Sequence, residues 1–375
     1  MTTRHHLRSV LVTGGAGFIG SNFILHLRAR RPEVRIVNLD ALTYAADLAN
    51  LDGVRTDASY RFVRGDICDR DLVTALLIAE NIDPVVLFAA ESHVDRSIAA
   101  PADFVRTNVC GTQALLAACR SVWQRKHAPV SGVRFHHIST DEVFGSLNAG
   151  DPPFHEATPY APNSPYSASK AAADHLVRAY ARTYGLPVVV TNCSNNYGPR
   201  QHAEKFIPTV IRKAVAGDAI PVYGSGLNRR DWLFVDDHCA ALLAALEQAP
   251  DGETYCIGGG CETSNLELAE HLCDLIDEVR PAPAPRRRLI TFVPDRPGHD
   301  FRYAIDAAKI DKALGWRPRT AAADGLRRTV EWTLARGPAP ATGRPRAVTS
   351  EPPIRAEPVH AGPAGGEPTL GLAGA

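Results

Sequence analysis

The sequence lacks a net charge of either sign, because 41 lysines and arginines balance 41 aspartates and glutamates when histidine is neutral. Proteins that bind nucleic acid or an anionic membrane usually carry an excess of basic residues. A long apolar run is missing as well: residues 1–8 are polar and basic, and too few apolar residues follow for a signal peptide or a membrane span. We therefore expect neither nucleic acid nor a membrane as partner, and a cytoplasmic location.

Cysteine is sparse and scattered. The 375 residues include eight cysteines, which form no Cys-x-x-Cys pair, and the closest two, Cys256 and Cys261, flank a Gly-Gly-Gly turn. A disulfide framework is typical of short secreted chains, and a zinc site needs further ligands at a suitable spacing. Free thiols in a reducing compartment and no bound metal are therefore expected.

The first half of the chain alternates between short apolar runs and helical patterns. Strands are predicted at residues 10–13, 35–39, 60–63, 85–89, 133–139 and 188–192, with helices such as 21–30, 107–120 and 167–184 between them. This alternation predicts an α/β Rossmann fold, which is a doubly wound parallel sheet with helices on both faces.

Three regions follow from this pattern. Residues 1–194 mainly form the predicted dinucleotide-binding Rossmann domain. The pattern loosens over 195–336, where 221–228 and 295–299 are rich in turn residues. We interpret this region as a smaller lobe that completes a substrate cleft, with some strands able to return to the sheet. Residues 337–375 are rich in Pro, Ala and Gly and are predicted to be a disordered tail, with no function assigned.

A glycine-rich turn follows the first predicted strand. Gly14, Gly17 and Gly20 have a G-x-x-G-x-x-G spacing between that strand and an amphipathic helix. Gly14 allows the tight turn, Gly17 the close approach of a pyrophosphate to the backbone, and Gly20 the packing of the helix on the strand. The strand-turn-helix context predicts a dinucleotide site, although glycine alone is weak evidence.

An acidic residue about twenty positions further on is the second requirement for such a site. Asp40 ends the run Arg35-Ile-Val-Asn-Leu-Asp40, where its carboxylate can accept hydrogen bonds from the ribose hydroxyls and repel a 2′-phosphate. This favours NAD over NADP, and Asp66 after the third strand is a candidate for the adenine. The alternative interpretation of Asp40 is an aspartate that only caps a loop.

A tyrosine and a lysine follow on a predicted helix. Tyr166 and Lys170 are four residues apart and therefore neighbours on one helix face, with Ser164 as N-cap and Pro165 as first helical residue. A nearby ammonium favours the phenolate, so Tyr166 is predicted to have a lowered pKa and to remove a hydroxyl proton as hydride leaves. Ser139 and Thr140 lie at the end of the preceding strand.

Two adjacent acids come directly after that strand, in Ser139-Thr-Asp-Glu-Val143. Asp141 and Glu142 can both face a substrate only if the chain leaves strand geometry at this point. One interpretation is a general acid and a general base whose environments separate their pKa values. The other, equally compatible with these residues alone, is a solvated acidic turn.

The chain resembles the dTDP-glucose 4,6-dehydratase family of the extended short-chain dehydrogenase/reductase superfamily. The resemblance extends from residue 13 to about residue 332. It is carried by Thr13-Gly-Gly-Ala-Gly-Phe-Ile-Gly20, Asp40-Ala-Leu-Thr-Tyr-Ala45, Phe88-Ala-Ala-Glu-Ser-His-Val-Asp-Arg-Ser97, Ser139-Thr-Asp-Glu-Val143, Tyr166-Ser-Ala-Ser-Lys170, Asn192-Cys-Ser-Asn-Asn-Tyr-Gly198, Arg230-Asp-Trp232 and Asp295-Arg-Pro-Gly-His299. The glycine and Tyr/Lys motifs are general to the superfamily, whereas the Thr-Asp-Glu and Ala-Glu-Ser-His-Val-Asp segments are more specific.

The resemblance implies conversion of dTDP-glucose to dTDP-4-keto-6-deoxyglucose, as in deoxysugar biosynthesis. Tyr166, helped by Lys170 and Thr140, oxidises the C4 hydroxyl as NAD takes the hydride. Glu142 then removes the C5 proton while Asp141 protonates the departing C6 hydroxyl, and the hydride returns to C6. Thymidine as the base, and a homodimer formed by helices 107–120 and 167–184, are implied by the resemblance alone.

Further site residues are likewise implied by the resemblance. For NAD they are Gly14, Gly17, Phe18, Ile19, Gly20, Asp40, Leu42, Thr43, Asp66, Ile67, Ala89, Ala90, Thr107, Tyr166, Lys170 and Asn196. For the nucleotide sugar they are Ser92, Thr140, Asn195, Lys205, Phe206, Pro221, Tyr223, Arg230, Asn265, Asp295 and His299. The chain departs from the family at Phe144, where many members have tyrosine, and after Trp332, where the family's aromatic end is replaced.

Two other functions remain as alternatives. A nucleotide-sugar 4-epimerase shares the fold, NAD and the Tyr/Lys pair, but it needs no acid/base pair at C5 and C6, so Asp141 and Glu142 favour dehydration. A catalytically inactive NAD-sensing protein typically loses the Tyr/Lys pair, and both Tyr166 and Lys170 are present here.

Overall fold

A computed structural model of the chain describes residues 5–124 and 132–336. The predicted tail, 337–375, lies outside the described residues. The strands within them are β1 (Ser9–Thr13), β2 (Arg35–Asp40), β3 (Tyr60–Arg64), β4 (Pro84–Leu87), β5 (Arg134–Thr140), β6 (Val188–Cys193), β7 (Asn195–Tyr197), β8 (Ile220–Tyr223), β9 (Arg229–Phe234), β10 (Thr254–Ile257), β11 (Glu262–Ser264) and β12 (Ile290–Val293).

Helices connect these strands. They are α1 (Phe18–Arg30), α2 (Arg70–Ala79), α3 (Val94–Ala99), α4 (Pro101–Phe104), α5 (Thr112–Trp123), α6 (Pro165–Tyr184), α7 (Phe206–Ala216), α8 (Val235–Gln248), α9 (Asn265–Val279), α10 (Ala308–Leu314) and α11 (Ala322–Arg336). A π-helical segment, Val105–Gly111, joins α4 to α5, and short 3-10 turns occupy Leu48–Leu51, Asp141–Phe144 and Arg286–Leu289.

The central sheet confirms the predicted doubly wound fold. Its seven parallel strands have the order β10-β6-β5-β4-β1-β2-β3. The strand order reverses between β1 and β4, and ligands of such sheets bind beyond the carboxyl ends of the strands at that reversal. The candidate site residues that follow β1, β2, β4, β5 and β6 therefore all lie at the carboxyl-terminal edge of the sheet, where these strands end.

The strands form here because each is a short run of β-branched and large apolar residues buried on both faces. Alternate residues enter two separate cores: Val10 and Val12 of β1 contribute to one, and Leu11 contributes to the other. Helices α1 and α8 cover the first face, while α2, α5 and α6 cover the second.

The structure corrects the predicted elements in three places. The strand predicted at 85–89 ends at Leu87, so residues 88 and 89 already belong to the site edge. The helix predicted at 107–120 begins within the π-helical segment and extends to Trp123. Residues 221–223, predicted within a turn-rich piece, lie in β8, since β8 pairs with the distant β12.

The second half of the chain also contains small sheets outside the central one. Its strands form the small sheets β11-β9-β7 and β12-β8, and α7, α9 and α11 pack around them in a third apolar core. One strand of this half, β10, instead pairs with β6 and completes the central sheet. Across the part of the chain that the structure describes, no helix has the length and apolarity to cross a bilayer.

Candidate active site

The turn after β1 is shaped by its glycines. Gly14 has a φ of +71°, and a Cβ added there would lie 2.6 Å from the backbone nitrogen of Ala89. A Cβ on Gly20 would lie 2.4 Å from the Gly14 carbonyl oxygen, so α1 can start against the turn only without a side chain there. Gly17 is the N-cap of α1, and no described side chain caps this helix. The first turn of α1, which includes Phe18 and Ile19, therefore lacks a side-chain cap, as is common at helix ends that bind anions.

Asp40 holds the glycine turn against the end of β2. One carboxylate oxygen accepts the Ala16 N–H and the other accepts the Leu42 N–H, both at 2.8 Å. Burial raises the pKa of Asp40, and these two hydrogen bonds oppose that rise. The loop-capping role raised as an alternative is thus present. Since each carboxylate oxygen has two lone pairs, the same group can still accept from ribose hydroxyls.

The other predicted cofactor residues lie along the same edge, and some of them already form hydrogen bonds within the protein. Asp66 accepts the Cys68 N–H at 2.9 Å and pairs with Arg106 at 2.6 Å, an arginine that the sequence reasoning missed. Asn196 is engaged at both ends, by His238 at 2.8 Å and by the Ser194 carbonyl at 3.0 Å. Thr43, Ile67, Ala89, Ala90 and Thr107 belong to the segments that follow β2, β3 and β4 or precede α5.

Tyr166 and Lys170 begin α6, with the cap that the sequence predicted. Ser164 and Ser167 form a reciprocal capping box and Pro165 is the first helical residue. Such a cap stabilises a helix end by about 1 kcal/mol, and it holds Tyr166 in the first turn. The tyrosine ring lies edge-on to Phe104 with centroids 6.2 Å apart, and Lys170 Nζ donates to the Ile138 carbonyl at 2.8 Å.

The pKa of Tyr166 differs from the sequence prediction. Burial raises it well above its usual value, and the nearby Glu142 adds to the rise, while a hydrogen bond with Thr140 opposes it. The predicted lowering by Lys170 is therefore wrong for the protein alone, because desolvation of the phenolate dominates.

The chain leaves strand geometry after Thr140, as two facing acids require. Thr140 is the N-cap of the Asp141–Phe144 3-10 turn: its hydroxyl accepts the Glu142 N–H at 3.3 Å and donates to Asp141 at 3.2 Å. Asp141 is only 1% exposed, and its second carboxylate oxygen has no hydrogen-bond partner among the described residues. A buried turn, and not a solvated one, therefore follows β5.

The two acids of this turn have different surroundings. Burial raises the pKa of Asp141 well above its usual value, and the carboxylates of Glu142 and Asp231 raise it further. Burial also raises the pKa of Glu142, but three cations oppose that rise: Lys205, Arg296 and Arg230. The two carboxyl groups therefore differ in the direction expected of an acid and a base: carboxylates face Asp141, whereas cations face Glu142.

Most of the predicted substrate residues lie in the second half of the chain, and Ser92 lies in the segment after β4. Lys205, which precedes α7, donates to the Ser92 carbonyl at 2.8 Å and so bridges the two. Arg230 of β9 is buried against Tyr303 and donates to the carbonyls of Asp300, Phe301 and Arg229. Its guanidinium already donates to three backbone carbonyls, so Arg230 has a structural role in addition to its predicted role in substrate binding.

Other members of the predicted substrate set cluster near β8. His299 Nδ1 lies 2.6 Å from Asp295 Oδ1, and the ring of His299 is edge-on to Tyr223, with centroids 6.1 Å apart. The side-chain oxygen of Asn195 is buried and is unpaired within residues 5–124 and 132–336. Phe206 begins α7, Pro221 lies exposed on β8, and Asn265 begins α9 behind its Ser264 cap.

Arg296 is the clearest omission from the predicted set. It lies between two chosen residues, Asp295 and His299, contacts Asp95 at 3.4 Å, and acts electrostatically on Glu142. The sequence signal was its place in the Asp295–His299 segment. Phe144, the noted departure, stacks on Phe154 at 5.1 Å and lies edge-on to Tyr160 within an apolar cluster, so its ring packs without a hydroxyl.

The fold, the glycine turn and the Tyr166/Lys170 pair define a member of the short-chain dehydrogenase/reductase class. A family model described as GDP-mannose 4,6 dehydratase matches residues 11–329. The chain is 54% identical to a dTDP-glucose 4,6-dehydratase of Xanthomonas campestris over 86% of this chain and 92% of that protein, and 50% identical to dTDP-glucose 4,6-dehydratase 1 of Escherichia coli over 87% and 92%. The chain belongs to the 4,6-dehydratase family, among its dTDP-glucose members.

Solved structures agree with this placement. A dTDP-glucose 4,6-dehydratase from Streptomyces venezuelae, crystallised with NAD, is 46% identical, with a TM-score of 0.78, over 86% of this chain and 96% of that one. A UDP-glucose 4-epimerase from Thermotoga maritima, crystallised with UDP-glucose, is 28% identical, with a TM-score of 0.75, over 86% and 98%. The epimerase shares the fold at lower sequence identity.

Proposed function

We propose that this protein is a dTDP-glucose 4,6-dehydratase, which converts dTDP-glucose to dTDP-4-keto-6-deoxyglucose and water. The observation that carries the proposal is the pair of unequal carboxyl groups after β5. Asp141 is buried among carboxylates and Glu142 is faced by cations, and both adjoin Tyr166. Membership of the dTDP-glucose 4,6-dehydratases supports the same reaction.

The residues at the edge of the sheet fit NAD. The uncapped first turn of α1 suits a pyrophosphate, and Asp40 suits the ribose hydroxyls of NAD better than a 2′-phosphate. Related dehydratases have been crystallised with NAD. When bound, NAD accepts a hydride from the sugar and later returns it. The remaining chemistry is proton transfer, and this chain's own side chains supply it.

Tyr166 and Thr140 act on the C4 hydroxyl. Tyr166 accepts the hydroxyl proton, and Thr140, which hydrogen-bonds with the phenol, steadies the same oxygen. The site is dry here, since Tyr166 and Thr140 are each under a tenth exposed. The exclusion of water strengthens the attraction between the Lys170 ammonium and the Tyr166 phenolate. Tyr166 and Lys170 are therefore most effective when bound substrate fills the cleft.

Glu142 and Asp141 carry out the elimination. A ketone at C4 acidifies the C5 proton, which ionised Glu142 removes, while protonated Asp141 gives its proton to the departing C6 oxygen and water leaves. Glu142 then holds the proton that C5 regains at the end. Over a full turnover Tyr166 gains the C4 hydroxyl proton and Asp141 loses one proton to the departing water. The proton count balances once Tyr166 releases its proton to solvent and Asp141 regains one from solvent.

The diphosphate is assigned to the cations around Glu142. Lys205 and Arg230 are among the predicted substrate residues and are donors that suit a diphosphate, and the position of Arg296 adds a third donor. The same three cations also favour the ionised form of Glu142, which is the form that acts as a base. Substrate binding and the basicity of Glu142 therefore depend on the same positive charges. The preference for thymidine rests on the related proteins and not on a residue of this chain.

A cytoplasmic homodimer completes the proposal. All eight cysteines are free thiols in the structure, which supports a reducing compartment. The helices α5 and α6 lie side by side, joined by Gln113 to Tyr180 at 3.3 Å, and leave Tyr184 38% exposed. Sedimentation at several protein concentrations tests this part, with a stable mass of two chains expected and a persistent single-chain mass contradicting it.

Product analysis tests the reaction. Purified protein is incubated with dTDP-glucose and, in parallel, with UDP-glucose, CDP-glucose and GDP-mannose, and the products are weighed by mass spectrometry. We expect loss of one water from dTDP-glucose, without accumulation of NADH. Loss of water from another nucleotide sugar instead would keep the mechanism and change the substrate. An unchanged mass with a C4 epimer by NMR would replace dehydration with epimerisation.

A further inference from the structure

The buried carboxylate of Asp174 lies one helical turn after Lys170 on α6. Tyr166, Lys170 and Asp174 are spaced by four residues along α6, which places them on one face of the helix. Asp174 is 0% exposed, and no part of the proposed reaction uses it. Burying a carboxylate is costly unless hydrogen bonds and an opposite charge compensate it, so its partners indicate what holds it there.

Three side chains donate to Asp174. His137 Nε2 of β5 lies 2.9 Å from Oδ1, and Tyr160 Oη and Asn192 Nδ2 lie 2.7 Å and 3.1 Å from Oδ2. Burial alone would raise the pKa of Asp174, but these hydrogen bonds and the charges of its neighbours lower it to about 2. Asp174 is therefore an anion at every physiological pH.

The charges around Asp174 identify Lys170 as its counter-ion. Burial lowers the pKa of His137 to about 4, so the imidazole is neutral and donates through Nε2. Arg178 reaches the group only through the hydroxyl of Tyr160, at 2.6 Å. Burial lowers the pKa of Lys170, while Asp174 and the thiol of Cys193 act in the opposite direction. The charge of Asp174 therefore favours the ammonium form of Lys170.

Asp174 is also connected to the catalytic turn. Asn192 Nδ2 donates both to Asp174 and to the carbonyl of Thr140, the latter at 3.1 Å. Lys170 donates to the carbonyl of Ile138, two residues earlier in β5. The end of β5 is therefore held from the α6 side by Lys170 and from the β6 side by Asn192, and Asp174 contacts or attracts both.

We propose that Asp174 is a positioning residue for the oxidation step, a buried counter-charge that holds the Lys170 ammonium and, through Asn192, the Thr140 carbonyl. This inference rests on the proposed function, because it assigns Asp174 to the same site. Asp174 touches neither substrate nor cofactor in this scheme. Its effect reaches Tyr166 through Lys170 and through the position of Thr140.

The test is the pH dependence of the oxidation half-reaction in Asp174→Asn, followed as NADH absorbance in a single turnover of the holoenzyme. Without the carboxylate, Lys170 loses its proton at lower pH. We expect the alkaline limb of the pH–rate profile to move down by about 1–3 pH units. The maximal rate of NADH formation should fall, while the substrate concentration that gives half of that rate stays unchanged. Asp174→Glu retains the charge and should restore the limb. An unshifted limb in a folded Asp174→Asn protein overturns the inference.

Two further variants separate charge from folding. Asp83→Asn removes another buried carboxylate, 2% exposed and paired with Arg8 at the opposite edge of the sheet, and should leave the pH profile unchanged. Asn192→Ser cuts the link to Thr140 but leaves Asp174 charged, so oxidation should slow with no shift of the limb. If Asp174→Asn does not fold, wild-type oxidation rates in Asn192→Ser overturn the inference.

The inference and the proposed function fail in different ways. A wild-type protein that releases no water from dTDP-glucose contradicts the proposed function. A wild-type protein that does so, together with an Asp174→Asn variant of identical pH profile, contradicts only the role of Asp174.

Discussion

Replacing Tyr166 with phenylalanine should slow oxidation of the sugar by about 10²–10⁴-fold, the usual contribution of a positioned acid or base. The substitution removes one buried oxygen and leaves the ring against Phe104. Substrate binding should change little, because the proposed diphosphate donors lie elsewhere. The measurement is NADH formation in a single turnover with dTDP-glucose, compared with the NAD content of the purified protein.

A matched control is available on the same helix. Tyr180 also lies on α6, where its hydroxyl accepts from Gln113 outside the site, so Tyr180→Phe removes an equivalent group. This variant should oxidise the sugar at the wild-type rate. If Tyr166→Phe forms NADH as fast as Tyr180→Phe, Tyr166 is not the base, and the proton must leave through another group such as Thr140.

Replacing Asp141 with asparagine, or Glu142 with glutamine, should uncouple oxidation from elimination. Each substitution keeps the shape of the side chain and removes its ability to transfer a proton. Oxidation needs neither group, so NADH should still form, whereas loss of water should fall by about 10²–10⁴-fold. We therefore expect NADH to persist in both variants during a single turnover, while the wild-type protein shows it only briefly.

The pH dependence of the elimination step follows from the different environments of Asp141 and Glu142. Glu142 must be ionised and Asp141 protonated, so elimination should weaken below the pKa of Glu142 and above the pKa of Asp141. Burial raises both pKa values, and the three cations hold that of Glu142 back. The working range is thus displaced upward from that of an exposed carboxyl pair. An equal loss of oxidation and elimination in both variants would contradict the separate roles.

Much of the fold was predictable because its signals are local. The β-branched runs of β1, β2 and β6 and the Ser164–Pro165 cap of α6 act within a few residues of themselves, and the structure has all of them where the sequence places them. The place of β10 was not predictable. Its four residues join the central sheet only because β6 offers an unpaired edge, and pairing of distant segments leaves no local pattern.

The site likewise divides into features with a local sequence signal, which were predictable, and features that depend on distant residues, which were not. The glycine turn and the Thr140–Glu142 run are contiguous motifs, and each lies at the predicted edge. The pKa of Tyr166 was predicted with the wrong sign, because the sequence shows a neighbouring lysine but not the depth of burial. Arg296 and Asp174 were missed since their importance comes from charges on other elements, Glu142 and Lys170, that only folding brings near.

The shared turn after β5 also bears on how reactions diversify in this class. The proposed elimination depends on two neighbouring side chains, whereas the proposed oxidation depends on the glycine turn, on α6 and on the Thr140 hydroxyl. Point substitutions at Asp141 and Glu142 alone can therefore abolish dehydration while the oxidising machinery stays intact. An insertion in the turn, by contrast, would displace the Thr140 hydroxyl as well and remove both activities together.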